Sequence, residues 1–231
     1  MLNAKPGWIV ARYCLMALLC STPLGLCAQE RKFEPVDEAA GDASWVSFKK
    51  RLLTAVEKRD VKFVLGILDR NVRASIDGTR GVAGFRKAWD VGAADTPLWR
   101  ELRAALFLGT AYLKKEEGPR ELCAPYLLAR WPDDLYPDDH GAIITKEVLV
   151  KAGPYADSAT LQTLSYEIVP VTDWEVADKI LGDKQRWVKV KVKSGEGYVP
   201  DEQIRSPIEH SACFIKTEGG WRMSAFAPAG G

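Results

Sequence analysis

Alternating side chains toward the C-terminal end of the chain could form a binding surface. Trp187, Lys189, Lys191 and Lys193 occupy every second position, and valines fill the positions between them. Because successive side chains of a β-strand point to opposite faces, this spacing predicts a strand with an apolar face and a cationic, aromatic face. The latter face could stack against and charge-pair with a peptide or an anionic glycan. The alternative is a polar, solvent-facing surface with Trp187 packed at its rim.

Nucleophilic catalysis requires a base beside the nucleophile, and the only histidines of the chain are His140 and His210. The motifs G-x-S-x-G, H-E-x-x-H and G-x-x-x-x-G-K-S/T do not occur. Cys123 with one of the histidines could in principle form the nucleophile pair of a cell-wall cysteine peptidase. Its context, ELCAPYLL, lacks the Asp-Cys-x-Gly setting of such peptidases and favours a structural cysteine. We therefore predict no catalytic residues and no enzymatic activity.

A short acidic segment is the candidate for a metal site. Its potential ligands are Asp133, Asp134, Asp138, Asp139 and His140. Such oxygen-rich sets suit a hard cation such as calcium, but the spacing lacks the glycine and the distal Glu of a known calcium loop. A solvated acidic linker is the better interpretation, so we predict neither a metal site nor a cofactor.

The N-terminus has the layout of a secretory signal peptide over residues 1–28. Lys5 and Arg12 are its only charges, an apolar run follows from Tyr13, and small residues close it. A transmembrane anchor would need about 20 apolar residues, but this run is shorter and contains Pro23. Acylation of Cys27 is a further alternative, which the bulky residue before it disfavours. We expect a periplasmic or secreted protein with no stable membrane anchor after cleavage.

Cleavage would leave Cys123 and Cys213 of the 5 cysteines in an oxidising compartment. They are a candidate disulfide, and the alternative is a pair of separate buried thiols. Cleavage would also remove two basic residues and no acidic one, which turns the formal net charge of +1 into −1. This balance gives no electrostatic reason to expect nucleic acid as a partner, since nucleic acid selects strongly basic domains.

The elements that would position these residues begin after a flexible lead-in at residues 29–43, which mixes charges with Pro and Gly. Residues 44–132 are predicted to be an α-rich domain. Its first helix stacks apolar residues at helical spacing: Trp45, Phe48, Leu52 and Val56. We expect a second short helix over 61–69, a strand over 72–77 and a later helix after Thr96-Pro97. Residues 121–131 could be either a short strand or a helix.

A Pro- and Asp-rich linker at 133–140 separates this domain from a β-rich region at 141–205. The short strands of this region, separated by turn residues, fit a small barrel. Two strand patterns at 206–231 flank a Gly-Gly turn and predict a hairpin, which we expect to pack back on the N-terminal domain.

Three motifs occur in order within 141–205: VLVKAGP at 148–154, WVKV at 187–190 and GYV at 197–199. In order and spacing they resemble the bacterial SH3-like domain, a five-to-six-stranded small barrel found in envelope and secreted proteins. Leu149 and Lys151 depart from the Asn and Arg that the family usually has, and residues 173–186 form a long insertion. The N-terminal part is also similar, by analogy, to cone-shaped nuclear-transport-factor-like domains. The similarity lies in the order of two helices, a strand, a glycine turn and a third helix, completed by the terminal hairpin.

The predicted fold is therefore α+β, with an α-rich N-terminal part, a small all-β SH3-like barrel and a C-terminal hairpin. The resemblance implies an exported, non-enzymatic binding protein whose partner is cell-wall peptide or glycan, or an envelope protein. The predicted ligand-binding residues are Trp187, Lys189, Lys191 and Tyr198. A cysteine-peptidase-like envelope enzyme and a structural partner of an outer-membrane assembly are the alternatives.

Overall fold

A computed structural model describes Met1 and residues 31–114 and 118–229 of the chain. The predicted signal peptide, apart from Met1, lies outside these residues. Of the helices within the described ranges, none is long and apolar enough to cross a membrane.

The described residues form an α+β fold. The helices are α1 (Ala43–Glu57), α2 (Val61–Gly66), α3 (Gly81–Ala88), α4 (Leu98–Phe107) and α5 (Leu127–Arg130). The strands are β1 (Arg31–Lys32), β2 (Leu68–Arg73), β3 (Ala111–Tyr112), β4 (Glu121–Ala124), β5 (His140–Ile143), β6 (Val148–Lys151), β7 (Thr160–Leu164), β8 (Glu167–Asp178), β9 (Gly182–Val192), β10 (Gly195–Pro200), β11 (Ile204–Arg205), β12 (His210–Thr217) and β13 (Gly220–Pro228).

Aspartate caps fix where the first two helices begin. Asp42 Oδ1 accepts hydrogen bonds from the backbone amides of Ser44 and Trp45, and Asp60 accepts one from Phe63. These bonds satisfy amide groups that have no partner inside a helix. Beyond the first cap, the apolar face of α1 is buried as the spacing predicts, at Trp45, Phe48, Leu52 and Val56.

The first sheet has five strands in the order β2-β13-β12-β4-β3. The C-terminal hairpin supplies two of its three inner strands, β12 and β13, and only the β2–β13 pair is parallel. The α1 and α4 helices pack on one face, where Trp45 contacts Phe48, Phe214 and Trp221. The chain therefore leaves this sheet after β4 and returns to its centre at β12, with the β-rich region inserted between.

The second sheet follows the path β11-β5-β8-β9-β10-β6-β7, with β1 paired to β8. Its core is built largely from valines that face inward at alternate positions of the strands, including Val150, Val188, Val190 and Val199. The pairings form an open path from β11 to β7 rather than a closed ring.

Part of the expected flexible lead-in makes specific contacts with both sheets. Arg31 and Lys32 pair with β8, and the Lys32 ammonium lies 2.6 Å from a carboxylate oxygen of Glu167. Ahead of the Asp42 cap, Ala39 is buried. The partners of Arg31 and Lys32 lie far along the chain, so the local charge and glycine content cannot reveal them.

The acidic linker is also held in place. The indole nitrogen of Trp174 donates to the Asp138 carbonyl at 2.8 Å, and the Ser206 hydroxyl donates to the Pro137 carbonyl at 3.0 Å. Beside it, Ala142 and Ile168 of the second sheet belong to the same apolar cluster as Tyr126 and Leu127. The two sheets therefore share buried apolar contacts across this segment.

Candidate functional site

Trp187 is placed differently from the lysines with which it was predicted to form a surface. Its side chain is only 2% exposed, and its indole nitrogen donates to Asp178 Oδ2 at 2.7 Å. Its register partners are Val176 on β8 and Pro200 on β10. The alternation prediction is correct in that Val188 and Val190 face the core, but Trp187 is covered on its own side. Its ring is not available to stack on a ligand.

The long β8–β9 hairpin explains this burial. Asp178 sits at the hairpin's turn, where Oδ1 accepts hydrogen bonds from the amides of Ile180 and Leu181 at 2.7 and 2.8 Å. These bonds, led by that from Leu181, hold the pKa of Asp178 below its ordinary value. Oδ2 is left to accept from Trp187. The insertion at 173–186 thus makes the tryptophan part of the hairpin's support.

Lys189, Lys191 and Tyr198 remain together on the polar face of the second sheet. Tyr198 is the register partner of Lys189 on β9 and of Lys151 on β6. A half-buried phenol ring therefore stands between two lysines on adjacent strands. We call these three residues, Lys189, Tyr198 and Lys151, the lysine–tyrosine row.

The charges around this row are only partly neutralised. Lys189 Nζ lies 2.7 Å from Glu196 Oε2, and this contact raises the pKa of Lys189 and lowers that of Glu196. Lys151 Nζ donates to the Thr160 hydroxyl at 3.2 Å. Lys191, the register partner of Glu196, is exposed. Asp173 on β8, another register partner of Lys189, adds a second carboxylate to Glu196. The three lysines still outnumber the two carboxylates, which suits a ligand bearing carboxylates.

Sequence reasoning did not select Lys151 for this surface. Lys151 stood out only as a departure from an arginine in the SH3-like motif, and nothing in its neighbours placed it beside Tyr198. Lys151 reaches Tyr198 only through the order of the strands in the sheet. β6 and β10 are neighbours there, although more than 40 residues lie between them in the sequence.

Cys123 and Cys213 form the predicted disulfide, with an S–S distance of 2.04 Å. They are register partners on β4 and β12, and both are buried. This bond is compatible with an exported protein. It also engages the sulfur that a cysteine peptidase would need as its nucleophile.

The histidines have other partners. His210 Nδ1 lies 3.5 Å from Glu101 Oε2, and the His210 ring packs against Trp89 with centroids 4.9 Å apart. His140 Nδ1 lies 2.5 Å from Asp139 Oδ1. The structure therefore pairs each histidine with a carboxylate, and neither with Cys123.

The acidic segment that could have held a cation is divided among different partners. Asp134 pairs with Arg31 at 2.7 Å, and Asp133 lies 3.9 Å from Lys114. Within the ranges that the structure describes, no three or more His, Cys, Asp and Glu side chains group as a metal site would require.

A cleft of about 350 Å³ lies beside the second sheet, between α4 and β11. Its charged lining comes from Arg103, Asp201, Glu202, Arg205 and Glu209. Sequence reasoning missed this site, because about a hundred positions separate its two walls.

Assignment of a function depends on these sites, because comparison of the chain with protein-family models, curated proteins and solved structures found no match.

Proposed function

We propose that the chain is an exported, periplasmic or secreted binding protein that holds an acidic cell-wall peptide or glycan on the polar face of its second sheet. The observation that carries the proposal is the lysine–tyrosine row, extended by Lys191. No catalytic step is part of the proposal, and no cofactor is needed for it.

The row offers two complementary kinds of contact. Ammonium groups at Lys151, Lys189 and Lys191 can bind carboxylates of a peptide or an acidic sugar through charge-assisted hydrogen bonds. The Tyr198 ring supplies an apolar surface and a hydroxyl at its edge. Because these side chains stand on adjacent hydrogen-bonded strands, their spacing is fixed before the ligand arrives.

The resemblance to bacterial SH3-like domains supports the same reading of the second sheet. The three motif segments fall on β6, β9 and β10, and these strands are neighbours in the order β9-β10-β6. We propose that this sheet is an SH3-like module whose insertion is the extended β8–β9 hairpin. The alternative of an envelope protein as the partner would use the same face.

Catalysis by a cysteine peptidase mechanism is a weaker proposal for this chain. The Cys123 sulfur is bonded to Cys213, and His210 is packed between Trp89 and Glu101. Binding requires only the surface groups already in place.

Sedimentation with purified, protein-free peptidoglycan tests the proposal. Lys151→Gln and Lys191→Gln remove positive charge from the face, and Tyr198→Ala removes the ring. Loss of a hydrogen bond to a charged group weakens binding by about tenfold. We expect each variant to bind peptidoglycan more weakly by about that factor, so that less protein sediments with it.

The matched control is Lys146→Gln, which removes an exposed lysine from a turn of the same module. It should bind as the unaltered protein does. Failure of the unaltered protein to sediment, or equal loss in the control, would overturn the proposal. Trp187→Ala is unsuitable here, because its effect on folding would be confused with an effect on binding.

A further inference from the structure

The cleft between α4 and β11 has apolar walls with charged groups of both signs. Its apolar lining includes Phe107, Leu108, Ile144 and Ile204. Phe107 is 58% exposed although it ends a helix whose other large apolar residues are mostly buried. The volume of about 350 Å³ falls in the range of small-molecule sites.

Two of the charged groups largely satisfy each other at the buried side of the cleft. Arg205 is 6% exposed, with Nη2 donating to the His210 carbonyl at 2.7 Å and Nη1 lying 3.4 Å from Glu209 Oε2. The Arg205 Nε is buried and has no hydrogen-bond partner among the described residues. Buried polar atoms nearly always have a partner, so the unpaired Nε is an exception in this part of the structure.

Arg103 is a positive group without a carboxylate partner in the described ranges. Its guanidinium carbon lies 4.6 Å from the centre of the Phe107 ring, and the side chain is exposed. A guanidinium held over an aromatic ring keeps its hydrogen-bond donors free for a planar carboxylate.

Asp201 and Glu202 bring two carboxyl groups together on the opposite wall. Both residues line the cleft, and burial together with the neighbouring Asp201 carboxyl raises the pKa of Glu202. Neighbouring carboxylates attract a cation, because their like charges destabilise each other. An ammonium group placed between them would relieve that repulsion.

We propose that this cleft binds a short zwitterionic peptide, with its free carboxylate on Arg103 and its free ammonium on the Asp201–Glu202 pair. The apolar part of the ligand lies against Phe107 and Ile204. A peptide of two or three residues fits the available volume. The cleft is separate from the lysine–tyrosine row, so this inference does not depend on the function proposed above.

Calorimetric titration of the full mature chain with alanyl-alanine tests the assignment of both ends. Three probes are compared: the free dipeptide, its N-acetylated form and its C-terminal amide. We expect each capped form to bind about tenfold more weakly than the free dipeptide, since each lacks one charged contact.

A substitution in one wall of the cleft should abolish the preference for a free group at one end of the dipeptide and keep the preference at the other end. In Arg103→Gln, the free dipeptide and the amide should bind equally, while the acetylated form stays weaker. In Glu202→Gln, the free and acetylated forms should become equal instead. The controls Arg51→Gln and Glu218→Gln change exposed charges outside the cleft and should retain both preferences.

Several results would overturn the proposal. Equal binding of free and capped dipeptides, or no binding of any, would exclude a zwitterion site. If calcium bound and displaced the dipeptide competitively, the carboxyl pair would be a cation site instead. If acetate bound as tightly as the dipeptide, the cleft would recognise only an anion, at Arg103.

Discussion

The indole of Trp187 is fixed both by the packing of its ring and by the hydrogen bond of its nitrogen to Asp178. Trp187 is among the largest buried side chains, so its replacement with alanine leaves a large cavity. We expect Trp187→Ala to lower the free energy of unfolding by about 3–5 kcal/mol. Trp187→Phe should lower it less, because part of the ring volume is kept.

Urea unfolding measured at several wavelengths checks this expectation, with Lys191→Ala as the control. Lys191 is exposed, and its replacement should change the free energy of unfolding by no more than about 0.5 kcal/mol. If Trp187→Ala unfolded at the same urea concentration as the unaltered protein, the packing described for this residue would be wrong.

Glu101 gives the protein a pH dependence that can be assigned to one contact. Its contact with His210, helped by Arg100, lowers its pKa from 4.5 to about 2. Since the pKa is lower in the folded than in the unfolded chain, the stabilisation is present above pH 4.5 and is lost as pH falls toward 2. The stability difference between the unaltered protein and Glu101→Gln should therefore shrink as the pH falls through this window.

Thermal unfolding of both proteins between neutral pH and about pH 3 measures this difference. The carboxylates that do not sense Glu101 titrate alike in both proteins, so their contributions cancel. Glu209 is the exception, because the Glu101 charge helps to raise its pKa. A difference that stayed constant with pH would contradict the role given to the Glu101–His210 contact.

The disulfide links two neighbouring strands of the first sheet across the whole inserted region. Its cysteines are 90 positions apart, and a loop of that length gives about 4–5 kcal/mol in the chain-entropy model. We expect the double variant Cys123→Ala, Cys213→Ala to lose stability of that order. Comparison of its urea unfolding with that of the oxidised protein provides the measurement.

Reduction of the unaltered protein gives an independent test of the same bond. Because both cysteines are buried, a dithiol reductant should break the bond only after unfolding. Rapid reduction of the folded protein, or two free thiols in the denatured and unreduced chain, would contradict this account.

Elements whose signals are local were predicted well. The first helix follows from its apolar period, which is visible within a few residues. The ambiguous segment at 121–131 contains one element of each kind, since β4 ends before Pro125 and α5 follows it. Its composition carried both signals because both structures are present.

Elements defined by distant partners were placed less accurately. The strand expected over 72–77 is β2, Leu68–Arg73, which begins where the second helix was expected to end. Its position is set by parallel pairing with β13, about 150 residues along the chain. The same limit applies to the candidate sites, since Lys151 and the two walls of the charged cleft come together only through strand order and module packing.

At the scale of the whole molecule, the β-rich insertion is built from a separate valine core but shares its edges with the rest of the chain. Residues 31–32 pair with β8, and Ile168 and Ala142 pack with Tyr126 and Leu127. The linker carbonyls at Pro137 and Asp138 receive side-chain hydrogen bonds from the second sheet and the segment after it. Contacts of this kind make the unfolding of one part sensitive to the presence of the other.

This arrangement predicts the behaviour of the isolated fragment 140–206. Its valine core is complete, so it should unfold cooperatively, with the modest stability expected of a domain of this size. It should nevertheless unfold at a lower urea concentration than the same region within the intact chain, because Ile168 and Ala142 lose their apolar partners and β8 loses β1. Hydrogen exchange of β8 and β9 amides in both proteins measures the difference. Equal protection in the two proteins would show that residues 140–206 are energetically independent of the rest of the chain. Absence of a cooperative transition in the fragment would show that the boundary cuts through one folding unit.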